Sequence, residues 1–139
     1  MTKFAGLLRR FTDRSFAEVL AAAEGAIFCG NAKVIARIDH SAAAAEAGLE
    51  LRETTLLIFG NPAGGTRLMQ ALPESAIDLP MKLLIVAADD RCVQLLGEDP
   101  AWIAERHGDA GAMSNVVRSM QQLMQSVLDI AAGVLPQKN

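Results

Sequence analysis

Thr54-Thr55-Leu56-Leu57-Ile58-Phe59-Gly60-Asn61-Pro62-Ala63-Gly64-Gly65-Thr66 decides how the rest of the chain is read. Thr54 to Phe59 is β-rich and apolar on both alternating faces, the pattern of a strand in the middle of a sheet. Asn61-Pro62 breaks that strand. Thr66 then offers a cap for a short helix over about 67–72, carrying Leu68, Met69 and Leu72 and ended by Pro73. Backbone N–H groups at such a helix start can cradle an anion. The turn is not a phosphate loop of the Walker type, because no Lys follows its last Gly, and it lacks G-x-G-x-x-G. The plainer reading is a tight connection needing unusual backbone angles.

Upstream, Ser15-Phe16-Ala17-Glu18 is a capping box, and Phe16, Val19, Leu20, Ala23 and Ile27 give one apolar stripe. This predicts a helix over about 16–29, left through Gly30-Asn31. Residues 2–11 stay open between a helical turn and an edge strand. Lys33 to Asp39 alternates as a half-buried strand. Asp39-His40-Ser41 supplies caps for the Ala42–Ala47 helix, which Gly48 closes.

Downstream, Ile77-Asp78-Leu79-Pro80 reads as an extended lead-in to an apolar strand, Met81 to Ala87. Asp89-Asp90 turns the chain, and Cys92 to Leu96 returns as a hairpin partner. Asp99-Pro100 is a sharp helix start, with the carboxylate at the cap and Pro at the first helical position. That helix, Ala101 to His107, is stopped by Gly108, and His107 falls at its C-terminus, where a cation is favoured. Trp102 reads as a packing anchor. From about Ala112 to Gly133, Val116, Met120, Leu123, Val127 and Ile130 step by four and three. An amphipathic helix of this length must lie on a sheet or on another subunit. Its Met113, Met120 and Met124 read as core or subunit interface, with a lipid or cofactor groove as the alternative.

The chain has 139 residues, 51% of them hydrophobic and 21% charged, which fits one domain and excludes a disordered chain. With a net charge of -3 and aromatics at 4%, neither a basic surface nor an aromatic platform for nucleic acid is expected. Cys29 and Cys92 match no metal spacing and read as reduced, partly buried thiols. No apolar run reaches membrane-spanning length and no signal peptide is apparent. The expectation is therefore a soluble, cytoplasmic protein with no membrane and no nucleic-acid partner.

Four separated motifs carry a family resemblance. They are Ala36-Arg37-Ile38-Asp39-His40, the opening stretch with Gly65-Thr66, Ile77-Asp78-Leu79-Pro80, and Asp99-Pro100-Ala101-Trp102 with Arg106-His107-Gly108. In that order, over about residues 15–108, they resemble the family called Domain of Unknown Function 302. The resemblance implies an α+β domain with a mixed sheet and helices packed on it, often as a homodimer. It implies no biochemical activity. Some relatives have a Cys before the Asn-Pro pair and another after the Leu-Pro pair. Gly60 and Met81 stand there in this chain.

The expected fold is thus a two-layer α+β sandwich, with four or five strands in a mixed sheet and a long C-terminal helix. The candidate ligand pocket is Asp39, His40, Asn61, Thr66 and Asp78, with a small molecule or an anion as its ligand. No catalytic residue, metal set or cofactor is identified. An imidazole near two carboxylates can shuttle protons or bind a metal, so His40 with Asp39 and Asp78 gives an enzymatic alternative. Against it, Asp39 reads as a helix cap and Asp78 as a turn residue. The functional expectation is a non-enzymatic small-ligand or accessory domain acting as a homodimer. A second alternative is an interaction module using the C-terminal helix.

Overall fold

Among the described residues five strands, each antiparallel to its neighbours, form one open sheet in the order β1-β5-β4-β3-β2. The computed structural model describes residues 6–134. The strands are β1 (Leu7–Thr12), β2 (Lys33–Asp39), β3 (Thr54–Gly60), β4 (Met81–Ala87) and β5 (Val93–Glu98). The helices are α1 (Phe16–Cys29), α2 (His40–Glu46), α3 (Pro62–Ala71), α4 (Pro100–Arg106) and α5 (Ser114–Ala132), with a 3-10 turn over Pro73–Ile77. The α+β class, the central β3 and the long last helix agree with the sequence reading. The sheet is antiparallel where a mixed one was expected. α1 does carry the chain across one face, from β1 to β2 with the same strand direction, but it delivers β2 to the opposite edge, so the two never pair and every neighbouring pair is antiparallel.

Of the ambiguous segment, residues 7–11 belong to the edge strand β1, Gly6 is a turn, and residues 2–5 lie outside the described residues. The capping box forms as read: the Glu18 N–H donates to Ser15 Oγ at 3.2 Å, and Ser15 Oγ donates to Glu18 Oε1 at 3.0 Å. One helix start was misplaced. α3 begins at Pro62 with Asn61 as its cap, several residues before the expected 67–72 helix with Thr66 at its cap. Proline has no N–H to lose in the first turn, so Asn-Pro starts this helix as Asp99-Pro100 starts α4. The extended lead-in before β4 is also largely replaced, by the 3-10 turn and a cis Leu79-Pro80 bond.

Strand alternation sorts side chains onto two faces. Leu57, Phe59, Leu83, Ile85 and Leu95 are fully buried beneath α1 and α5. At the sheet edges, Arg10 donates to Asp129 of α5 at 2.8 Å and Arg37 pairs with Glu24 of α1, which ties both edges to the helix layer. At Gly97 α5 lies tight against the sheet: a Cβ there would sit 2.4 Å from Met124 Sδ. The opposite face carries Phe11, Leu96, Leu84, Val86, Leu56, Ile58 and Ile38, by register and alternation. These are half-buried or exposed, and they face away from the layer of α1 and α5. No described helix is long and apolar enough to cross a membrane.

Candidate functional site

The five expected pocket residues separate into three places. Asp39 pairs in register with Thr55, whereas Lys33 pairs with Gly60. At about 3.3 Å per residue, this puts Asp39 roughly 17 Å along β3 from Gly60. The antiparallel sheet is the reason: in a parallel pair both strand ends would have met. At its own end Asp39 is a helix cap, accepting from the Ala42 N–H at 2.9 Å and from Ser41 Oγ at 2.6 Å. Those two bonds, led by the Ser41 hydroxyl, hold its carboxyl below the usual value. His40 is exposed on the first turn of the seven-residue α2.

Asp78 lies at the Gly60 end, in a different assembly. It is buried to 8% exposure, and Arg106 Nη1 donates to both its oxygens at 2.9 and 3.0 Å. His107 Nε2 lies 2.6 Å from Asp78 Oδ2, with its side chain 8% exposed. Arg106 also stacks over Trp102 at 5.6 Å. Two motifs nearly thirty residues apart are thus one structural lock, in which α4 is fastened to the chain entering β4. His107, read only as a helix end, is the imidazole partner that the sequence argument assigned to His40. A further signal was present, since Arg106-His107 closes a helix whose start is unambiguous. Its acidic partner could not be read from spacing.

Asn61 and Thr66 come together with what surrounds them. They line a cavity of about 430 Å³ at the end of β3, between α3, α5 and the turn entering β4. Its floor is Gly60, Pro80 and Met81, and its α5 wall is Val116, Ser119, Met120 and Leu123. That wall steps i, i+3, i+4, i+7, so α5 uses one stripe for the cavity and the neighbouring stripe, with Met124, Val127 and Leu128, for the core. Of the methionines set aside as a groove, Met120 is on the wall, joined by Met69 and Met81, while Met124 is in the core. Met113 packs against that core. Gly60 and Met81, the positions where some relatives of the resembled family have Cys, share this floor.

The first turn of α3 does not offer its amides to a ligand. The Ala63 N–H donates to Asn61 Oδ1 at 2.9 Å, and the Gly64 and Gly65 N–H groups donate to the Asn61 carbonyl at 3.1 and 3.2 Å. Pro62 has none. Asn61 Nδ2 also donates to the Asn31 carbonyl at 3.3 Å, holding the cap against the end of α1. Among the described residues the lining contains no Asp, Glu, His, Lys or Cys, and Arg67 is its single charged side chain. Among the described residues no group of three or more His, Cys, Asp or Glu could hold a metal ion. Cys29 is exposed rather than partly buried, and Cys92 is intermediate.

Comparison with known proteins gives three findings. The family described as "Domain of unknown function DUF302" matches residues 9–129. A crystal structure of an uncharacterized conserved protein DUF302 from Bacillus stearothermophilus superposes with a TM-score of 0.81. It covers 91% of this chain and 98% of that one at 15% identity, a likeness of fold. Among curated proteins, the chain is 36% identical over 129 residues to the fluoride-specific ion channel FluC 1 of Brucella suis biovar 1 (strain 1330), covering 93% of this chain and 51% of that protein. FluC 2 of Brucella melitensis biotype 1 matches at the same 36%, with 48% of its length covered. The chain therefore spans about half the length of the curated relatives it matches.

Proposed function

The chain belongs to the DUF302 family, and from that premise we propose that it is a non-enzymatic, small-ligand-binding accessory domain that works as a homodimer. The observation that carries this reading is the cavity beside α3. It has the size of a ligand pocket, roughly 300–1,000 Å³. Among the described residues its lining holds no carboxylate, imidazole, lysine or thiol, the groups that most often act as acid, base or nucleophile, and this favours binding over a reaction. A thermal-shift screen with metabolites and small anions tests it. A ligand at a hundred times its Kd adds about 2.7 kcal/mol, a readily measured rise in Tm. A ligand whose shift persists when the cavity is filled would bind elsewhere and count against this reading.

The homodimer is proposed through the open sheet face, where Leu56, Ile58, Leu84 and Leu96 are half-buried among the described residues on the side away from α1 and α5. Five strands at about 4.8 Å spacing and six or seven residues long present roughly 500 Å² in projection. Side-chain relief brings this towards the roughly 800 Å² per partner of a standard interface. Sedimentation at tens of micromolar should give a dimer. A monomer would end this part of the reading.

The setting proposed is fluoride handling, on the names of the Brucella relatives and on the half of their length that this chain does not match. With no described helix suited to crossing a membrane, this chain is assigned the accessory role and not the pore. A strain lacking the chain should grow less well than its parent in medium containing fluoride. Equal growth would remove the fluoride connection while leaving the pocket and the dimer in place.

A further inference from the structure

We propose that the cavity beside α3 takes a medium-chain organic carboxylate, with its apolar body against α5 and its anionic group towards Arg67. This inference rests on the small-ligand reading of the same cavity and assigns the ligand's chemical class.

Three observations support it. The first is charge: Arg67 is the one ionised side chain of the lining, no carboxylate opposes it, and no hydrogen bond or ion pair engages its guanidinium among the described residues. A cavity with a single unopposed cation selects an anion over a cation. Because Arg67 is exposed, that selection is modest and screened by salt.

The second is the wall. Val116, Met120 and Leu123 on one side and Met69 and Met81 on the other are apolar, and three thioether side chains re-pack around flexible chains. A small inorganic anion would need several converging N–H donors, and the first-turn amides of α3 are already bonded.

The third is the pattern of glycines. Gly60, Gly64 and Gly65 line the cavity without positive φ. A Cβ at each would meet its nearest neighbour at 3.8, 3.8 and 3.9 Å, which is ordinary contact. Neither backbone conformation nor crowding requires glycine there, and in α3 glycine is an unfavourable helix residue. What the missing side chains provide is open volume.

Titration calorimetry of the full chain with sodium decanoate, with 1-decanol and with decyltrimethylammonium as counterparts, tests the class. Decanoate should bind at least about threefold tighter than decanol at low salt, and the ammonium compound weakest. Arg67→Gln should erase the decanoate preference and leave decanol unchanged. Gly64→Leu, which places a side chain in the cavity at a strain-free helix position, should weaken decanoate at least about tenfold while raising the melting temperature. Equal binding of all three compounds, or a preference that survives Arg67→Gln, would overturn the carboxylate assignment and leave the ligand pocket standing. If none of them binds, or if decanoate binds a folded Gly64→Leu protein as well as the parent, the assignment fails and the pocket reading loses its support with it.

Discussion

Replacing Asp78 by Ala removes the one acceptor shared by Arg106 and His107, and the two partners should respond differently. Arg106 has a half-exposed side chain and can return to water, so its share of the loss is about 0–1 kcal/mol. His107 is 8% exposed and is left with a buried ring nitrogen facing no acceptor, which costs about 1–3 kcal/mol. The sum, about 2.5 kcal/mol at its centre, is a large part of a domain stability of about 5–15 kcal/mol. With an unfolding entropy of about 2.1 cal/mol/K per residue, it should lower Tm by roughly 8 °C. Urea unfolding of Asp78→Ala and Arg106→Ala, run side by side at neutral pH, is the assay. Arg106→Ala should lose only the exposed pair and its stacking on Trp102, about 1 kcal/mol. If Asp78→Ala costs no more than Arg106→Ala, the buried contact with His107 carries no weight, and the lock between α4 and the chain entering β4 is not as described.

Other perturbations follow from the same geometry. Asn61→Ala removes the cap of α3 and its bond to the Asn31 carbonyl, and should cost about 1 kcal/mol in chemical unfolding. Gly97→Ala drives a methyl into Met124 and should cost about 1–3 kcal/mol; in a double-mutant cycle with Met124→Ala the two losses should be less than additive. Leu84→Glu, in the middle of the open sheet face, should shift sedimentation from dimer to monomer with the circular dichroism spectrum unchanged. Asp39→Asn should flatten part of the acid limb of stability. A carboxyl held below 3.8 in the folded chain contributes stability that is present above that value and lost as pH falls through the lower folded pKa. A pH titration of Tm for both proteins reads the difference.

Local signals in the sequence were followed closely by the structure. Ser15 and Glu18, Asp39 before the alanine run, and Asp99-Pro100 each fix a helix start through bonds made within three residues, so nothing distant could overrule them. Asn61-Pro62 carries the same signal, yet the glycines after it suggested a loop; the chain tolerates them in a helix whose inner face opens on a cavity. Strand directions were harder. Alternation in Lys33–Asp39 says which residues share a face but not which end of β3 they meet, and that one unknown separated Asp39 and His40 from Asn61 and Thr66. Asp78 and Arg106-His107 were both visible as motifs, while their contact spans twenty-eight residues and depends on where α4 leaves β5. Nothing in the sequence singles out Arg67, because one arginine inside a short helix has no pattern of its own.

The order of the sheet also sets an order in time. β2 to β5 are neighbours in both sequence and space, so each can pair as soon as it follows the strand before it. β1 is made first and pairs last, since Leu7 lies opposite Glu98. Closing a loop of that span carries an entropic cost of about 4 kcal/mol beyond a constant. During synthesis the leading segment therefore waits unpaired while a four-stranded meander forms, and β5 keeps an open edge until β1 arrives. Arg9 and Arg10 place two charges in the middle of that strand, the kind of side chain that discourages an unpaired strand from pairing with other copies.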